Sequence, residues 1–154
     1  MLYDARHEYD NAVDNYRKAL ERDPNAAIAA NNLAWLYATQ GKGNIDEAVR
    51  LSQGVVQKNS TIAGFTDTLG WIYYKKGLNG VAIEQLQKAV ALDETTAQKM
   101  NTSPSPVYRY HLGMALKAKG DNEGAKREIG LALRLGDKTG FADAEEARKV
   151  LATL

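Results

Sequence analysis

The sequence predicts an all-α protein built from repeated pairs of helices. Two observations favour this fold class: similar segments recur along the chain at a nearly constant interval, and a glycine-containing turn follows each of them. A third is that the alternating β-branched runs typical of strands are absent, while Ala, Leu, Lys and Glu dominate. The one Asn-Gly dipeptide, Asn79-Gly80, lies between two helical patterns and so does not indicate a hairpin.

The repeat is clearest in the first helix of each pair. Residues 32–37, 68–73 and 111–116 align with one another, and a glycine follows each segment, at Gly41, Gly77 and Gly120. The second helices share an alanine at one fixed place, at intervals of 36, 34 and 43 residues, namely Ala12, Ala48, Ala82 and Ala125. Because a single helix pair cannot bury its apolar face alone, repeats of this length predict pairs stacked on their neighbours.

A helix–turn–helix period of 34 residues resembles the tetratricopeptide (TPR) repeat. The residues that carry the resemblance are Leu69-Gly70-x2-Tyr73, Leu112-Gly113, Ala12-x3-Tyr16-x2-Ala19-x4-Pro24 and Ala82-x3-Leu86-x2-Ala89. The family's first-helix tryptophan is absent, since Ala30, Thr66 and Arg109 stand at its place. The resemblance implies a right-handed superhelical solenoid of three full repeats, preceded by a half repeat and closed by a C-terminal capping helix.

The repeats predict a single domain over residues 1–154. Residues 1–25 form a partial repeat, 26–60, 61–94 and 106–137 form full repeats, and 140–154 form the capping helix. Residues 95–105 are a loop insertion, either a loop throughout or a short helical extension followed by a loop, because Pro104 and Pro106 restrict helix formation. We expect second helices at 9–22, 45–58, 79–92 and 122–135, and first helices at 26–40, 63–76 and 106–119.

The chain begins within a repeat. Tyr3 stands at the place of Tyr37 and Tyr73, so most of a first helix would lie before residue 1. We therefore expect this sequence to be a piece of a longer protein. A lone second helix leaves apolar surface open, which a second copy of the chain could cover as a homo-oligomer.

Composition excludes several function classes. The net charge is +1, from 20 basic and 19 acidic residues, so charge predicts no binding to nucleic acid. The absence of cysteine excludes disulfides, thiolate nucleophiles and Cys-based zinc sites, and no apolar run is long enough for direct membrane insertion. No phosphate-loop, zinc-protease or serine-hydrolase motif is present, and His7 and His111 lie far apart. We predict neither enzymatic activity nor a cofactor or metal.

The resemblance also implies a binding surface, because the first helices of TPR arrays line a concave groove. The inner places hold Asn31, Asn32, Trp35 and Thr39, then Asp67, Thr68, Trp71, Tyr74 and Lys75, and finally Tyr110, His111, Met114 and Lys117. Aromatic rings bury apolar side chains and amides bond peptide backbone in both directions, so this set predicts a peptide or a segment of a partner protein as the ligand. The alternative for Trp35 and Trp71 is packing against the next helix.

Two functions are open at this point. One is a non-catalytic interaction module that binds a partner segment in the groove, and the other is a scaffold that self-assembles through its open N-terminal face and convex surface. The clamp that some TPR proteins use for acidic chaperone tails is missing, because Asn31 and Trp35 occupy its lysine and asparagine places.

Residues 28–154 are also similar to bacterial TPR lipoproteins associated with exosortase (PEP-CTERM) sorting. The closing pattern Phe141-x5-Ala147-x3-Leu151 carries this resemblance, which implies a periplasmic rather than cytoplasmic setting.

Overall fold

A computed structural model describes residues 2–41 and 43–154, with side chains from Glu8 onward. Lys42 of the first predicted turn and the side chains of Tyr3 and His7 lie outside the described residues. The described residues form eight α-helices and no strand, which confirms the predicted fold class. The helices are α1 (Leu2–Arg22), α2 (Ala27–Thr39), α3 (Ile45–Lys58), α4 (Ala63–Lys75), α5 (Asn79–Met100), α6 (Pro106–Lys119), α7 (Asn122–Thr139) and α8 (Ala144–Ala152).

The helices form two compact units. Unit 1 covers residues 1–60 and contains α1 to α3, in which α2 packs against both α1 and α3. Unit 2 covers residues 61–154 and contains α4 to α8, in which each helix packs against the next and α4 also contacts α6. The first helices of the repeats are α2, α4 and α6, and the second helices are α1, α3, α5 and α7.

Glycines with left-handed backbone end two of the first helices. Gly77 has φ 80°, and its N–H and that of Leu78 donate to the carbonyls of Tyr74 and Tyr73 at 2.9 Å. Gly120 has φ 90° and ends α6 in the same way. These positions satisfy the last carbonyls of each helix in a conformation that disfavours any residue with a Cβ.

Close approach within a helix pair depends on a small residue of the first helix facing a large residue of the second. A Cβ on Gly70 would lie 2.6 Å from Leu86 Cγ and 3.2 Å from the Leu86 backbone nitrogen. A Cβ on Gly113 would lie 2.5 Å from Ile129 Cγ1. Both large side chains are fully buried, so each glycine creates the space that its partner fills.

The pair α2–α3 uses another combination at the same repeat places. Ala34 stands where the other pairs have glycine, and Ser52 stands where they have Leu86 and Ile129. Both residues are fully buried, and the shorter side chain in α3 gives room for the methyl group in α2. The exchange has a cost, because Ser52 Oγ has no hydrogen-bond partner within the described part of the chain.

Arg109 stands at the place of the family's first-helix tryptophan and links three helices. Its guanidinium donates to Glu128 Oε2 of α7 at 2.6 Å and also pairs with Glu94 of α5. Since Arg109 and Glu128 are largely buried, these charge-assisted bonds satisfy groups that would otherwise be costly to bury. Arg109 thus holds α6 to both α5 and α7 through charged groups.

The insertion before α6 is more helical than its prolines suggest. Because α5 continues to Met100, a loop over all of 95–105 is wrong, and a helical extension followed by a loop is observed. Asn101 ends the helix with φ 53°, in the left-handed region that asparagine tolerates. The Ser105 N–H donates to Asp93 Oδ2 at 2.6 Å, which ties the end of the short loop back to α5.

Three other helix limits differ from the prediction. The helix α1 begins at Leu2 and not at residue 9, because residues 2–8 contain no glycine or proline that would break it. The helix α7 continues to Thr139. The capping helix predicted over 140–154 is the shorter α8, which buries Ala147 and Val150 in a cluster with α7 residues.

The glycine at the α4–α5 contact generates a stability prediction. Gly70→Ala places a methyl group against Leu86, so we expect the free energy of unfolding to fall by about 1–3 kcal/mol in urea titrations. Gly80→Ala is the matched control, because nothing lies within 4 Å of its added Cβ and alanine favours the helix by up to about 1 kcal/mol. Equal effects of the two substitutions would show that the helix contact is not tightly packed.

Candidate partner-binding surfaces

In unit 2, aromatic side chains form a continuous series across α4, α6 and the segment before α8. Trp71 stacks on Tyr74 with ring centroids 4.6 Å apart and on His111 at 4.0 Å. His111 lies 6.1 Å from Tyr110, and Tyr110 meets Phe141 edge to face at 5.5 Å. We call these five residues the aromatic row, and such ring contacts stabilise beyond the area that they bury.

A buried hydrogen bond fixes the centre of the aromatic row. His111 Nδ1 lies 2.9 Å from both carboxylate oxygens of Asp67, and both side chains are about 6% exposed. Because a carboxylate only accepts, the hydrogen must be on Nδ1. The bond ties α6 to α4 and sets the plane of the imidazole that stacks on Trp71.

Five residues predicted to be exposed to a ligand are buried instead. The first helices α4 and α6 contact each other, so inner side chains that point toward the neighbouring helix pack against it. The prediction that they line an open surface is therefore wrong, and their exposed fractions are between 4% and 8%. They are Asp67, Thr68, Trp71, Tyr110 and His111. For Trp71 the alternative of packing against the next helix holds.

Four inner residues of unit 2 remain accessible. Lys75 is exposed, with Nζ 5.1 Å from the Trp71 ring centroid and 5.8 Å from that of Tyr74, a cation–π arrangement. Tyr74, Met114 and Lys117 are partly buried. Burial raises the pKa of Tyr74, and Lys117 Nζ donates to Thr153 Oγ1 at 3.1 Å. We call these four residues the accessible strip.

In unit 1, the predicted residues of α2 are all partly accessible. Asn32 Nδ2 donates to the Tyr16 hydroxyl at 3.2 Å, and Asn31 Nδ2 donates to Asn32 Oδ1 at 3.5 Å. Thr39 Oγ1 donates to the Trp35 carbonyl at 2.7 Å. The first two bonds hold the amides of Asn31 and Asn32 next to Tyr16, and the third ties the Thr39 hydroxyl to the backbone of α2.

A cavity of about 320 Å³ lies between α1 and α2 beside these residues. Its described lining contains three aromatic residues, one carboxylate and one amide, together with Ala12 and Leu36. We call this cavity the Trp35 pocket; its polar and aromatic members are Glu8, Tyr9, Tyr16, Asn32 and Trp35.

The α1 side of the Trp35 pocket was missed from sequence. Tyr9, Ala12 and Tyr16 recur at intervals of three and four residues, which places them on one face of α1. Ala12 and Tyr16 also belong to the repeat pattern of a second helix, which by itself indicates packing and not a pocket. The contact of α1 with α2 is what makes this face one wall of the pocket.

The described residues carry no group of three or more His, Asp or Glu side chains arranged to hold a metal ion. Within them, no helix combines the length and apolar character that crossing a bilayer requires. The prediction of no cofactor and no metal stays a prediction.

Paired helices, glycine-ended first helices and small-to-large contacts within a pair define a helix-pair repeat protein. Two family models, both described as tetratricopeptide repeat, match residues 1–58 and residues 67–96, together more than half of the chain. The chain belongs to the tetratricopeptide repeat family. This family serves protein interaction and not catalysis, so the chain is a protein–protein interaction module. Comparison with curated proteins finds no match.

Solved structures with the same fold include several bacterial proteins. The thermophilic TPR protein TTC0263 of Thermus thermophilus has a TM-score of 0.73 at 17% identity, over 97% of this chain and 74% of its own. PcrH in complex with the chaperone binding region of PopD has a TM-score of 0.66 at 19% identity, over 89% of this chain and 91% of its own. SycD, the Yersinia enterocolitica type III secretion translocator chaperone, was solved in an alternative dimer. It has a TM-score of 0.64 at 18% identity, over 82% of this chain and 86% of its own. Identities this low show that the fold is shared and say nothing about function.

The buried hydrogen bond between Asp67 and His111 generates a stability prediction. Asp67→Ala removes the acceptor of a buried histidine, so we expect the free energy of unfolding to fall by about 2–4 kcal/mol in urea titrations. The control is Asp137→Ala, because Asp137 is 73% exposed and 4.0 Å from Arg148, and its removal should change stability by less than about 0.5 kcal/mol. A loss for Asp67→Ala no larger than the control's would contradict the assigned role.

The aromatic row also gives a pH prediction. Burial, with the nearby carboxylates of Asp143 and Glu146, raises the pKa of Tyr110 to about 12. Folding therefore favours the protonated phenol. Its contribution to the free energy of unfolding is complete below about pH 10 and is lost as the pH rises toward 12. The free energy of unfolding should fall more steeply over that range for the wild type than for Tyr110→Phe, by up to about 3 kcal/mol. Parallel curves of the free energy of unfolding against pH for the two proteins would contradict the raised pKa of Tyr110.

Proposed function

We propose that this module binds an extended segment of a partner protein on the inner side of its first helices. The observation that carries the proposal is that accessible aromatic, amide and lysine side chains persist on these helices although their neighbours are buried. Each unit has its own candidate surface: the accessible strip in unit 2, and the Trp35 pocket with Asn31 and Thr39 in unit 1.

The chemistry of the accessible strip suits a segment with both apolar and acidic residues. Tyr74 and Met114 offer an aromatic ring and a flexible thioether, which bury apolar side chains of varied shape. Lys75 and Lys117 place ammonium groups beside them, and within the described residues neither makes an ion pair with a carboxylate. A ligand carboxylate would therefore find an unneutralised cation on this surface.

The rigidity of the underlying side chains also supports binding. Trp71 and His111 are fixed by stacking and by the Asp67 bond, so Tyr74 and Lys75 rest on an ordered base. A surface already held in one arrangement loses little side-chain entropy when a ligand docks. Thr39 and Asn32 are held in the same way by hydrogen bonds in unit 1.

Two solved structures with the same fold support binding to another protein chain. PcrH holds the chaperone binding region of PopD, and a structure of this fold can therefore accommodate a segment of another protein. SycD in an alternative dimer favours the second candidate, a scaffold that self-assembles. The resemblance of residues 28–154 to exosortase-associated lipoproteins favours a partner in the bacterial cell envelope.

Site-specific photo-crosslinking tests the proposal. A photoreactive phenylalanine analogue is placed at Trp35, Lys75 or Lys117 on first helices, and at the exposed second-helix positions Gln57 or Lys88 as matched controls. We expect first-helix positions to crosslink one partner segment in cells and second-helix positions to give at least about fivefold less of it. The measurement is mass spectrometry of the crosslinked peptides.

Two results would decide otherwise. Crosslinks to another copy of this chain, mainly from second-helix positions, would favour the scaffold. Equal yields from both sets of positions would show that the first helices are not the binding surface. Because none of the substituted positions is fully buried, loss of folding does not provide a third explanation.

A further inference from the structure

The Trp35 pocket has the composition of a site for a cation. Its described lining brings together the aromatic residues Tyr9, Tyr16 and Trp35 with the carboxylate of Glu8. Ring faces attract cations through their quadrupole, tryptophan most strongly, and a carboxylate adds a direct charge interaction. The volume of about 320 Å³ is near the lower end of ligand sites, which suits one long side chain.

The chain itself supplies a precedent at the equivalent place of the next repeat. Trp71 corresponds to Trp35, and the ammonium of Lys75, four residues further along α4, lies over its ring at 5.1 Å. A lysine at that spacing reaches back over the ring because residues four apart share one face of a helix. In α4, therefore, this repeat position combines an indole with a cation from the same helix.

In α2 the corresponding residue is not a cation. Thr39 stands four residues after Trp35, and its hydroxyl donates to the Trp35 carbonyl at 2.7 Å. The threonine side chain is thus directed to the backbone of its own helix. The aromatic position is retained in α2, and threonine stands at the place of the lysine in α4.

The carboxylate of Glu8 gives the pocket a negative charge that attracts basic groups. Glu8 is exposed, and it makes no ion pair with any residue in the described part of the chain. Asn32 donates to the Tyr16 hydroxyl, and because its amide is uncharged it leaves the charge of the carboxylate in place. A basic group entering between the rings would gain both the ring faces and this carboxylate, whereas an acidic one would meet repulsion.

We propose that the Trp35 pocket binds a lysine or arginine side chain of the partner segment. This inference rests on the proposed function, since it specifies one residue class of the segment that the module binds. It also gives the two units different preferences, a basic residue at the Trp35 pocket and an acidic one at the lysines of the accessible strip.

The test uses short peptides and the two tryptophans of the chain as reporters. Acetylated pentapeptides carry lysine, arginine, norleucine or glutamate between glycines and are titrated into the full chain labelled with ¹⁵N. The indole N–H signals are assigned with a Trp35→Phe variant. We expect the lysine and arginine peptides to shift the Trp35 signal saturably, and norleucine, which lacks the charge, to bind at least about fivefold more weakly.

Two matched variants isolate the carboxylate. Glu8→Gln keeps the shape and removes the charge, so binding of the basic peptides should weaken by about 1.5- to 5-fold. Glu21→Gln changes an exposed glutamate of the same helix outside the described pocket lining and should leave their binding unchanged. Equal weakening by both variants would mean that the effect is only the overall charge of the chain, and the inference would fail.

Other outcomes are equally decisive. Norleucine binding as well as lysine would make the pocket an apolar side-chain site, and no saturable shift of the Trp35 signal with any peptide would mean that no side chain binds there. Either result overturns the inference but leaves the proposed function intact if the photo-crosslinking finds a partner segment. Conversely, basic peptides that bind while crosslinking identifies no partner segment would support the pocket and count against the proposed function.

Discussion

The close approach of the two helices in each pair is the constraint on which the rest of the structure depends. In unit 2, Gly70 and Gly113 leave space that Leu86 and Ile129 fill, and no side chain with a Cβ fits at either glycine without displacing its neighbour. Unit 1 meets the same constraint with Ala34 and Ser52, at the cost of an unsatisfied buried hydroxyl. Volume is thus divided between the helices of a pair, and the division can be made in more than one way.

Contact between first helices determines what remains for a partner. In unit 2 the inner side chains that point toward the neighbouring helix become the aromatic row and its Asp67–His111 bond. The accessible strip is what the packing leaves uncovered, and it is narrower than the inner positions of a TPR repeat suggest. Buried and accessible residues therefore alternate on the same helices: Lys75 lies over Trp71, but only Trp71 belongs to the core.

The repeat and its turns were predictable because they depend on local rules. Glycine at the end of α4 and α6, and small residues at fixed intervals, follow from backbone conformation and helix geometry. The early start of α1 was not predicted, since the repeat alignment outweighed the absence of any helix breaker. For the insertion the prolines left a loop throughout and a helical extension both open, and the structure shows the extension. Family comparison agrees with the repeat and adds no information about the ligand.

The sequence by itself determined the helix pairs and the family, because a fixed period places equivalent residues on the same face of each helix. The residues of the first helices that face inward are a prediction from the family resemblance. Only the tertiary structure decided which of those residues are accessible. Burial depends on the distance between neighbouring helices and on partners far away in sequence, as with Asp67 and His111. For the same reason no sequence pattern indicated that Tyr9 and Tyr16 of α1 meet Trp35 of α2 around one cavity, which exists only where the two helices pack.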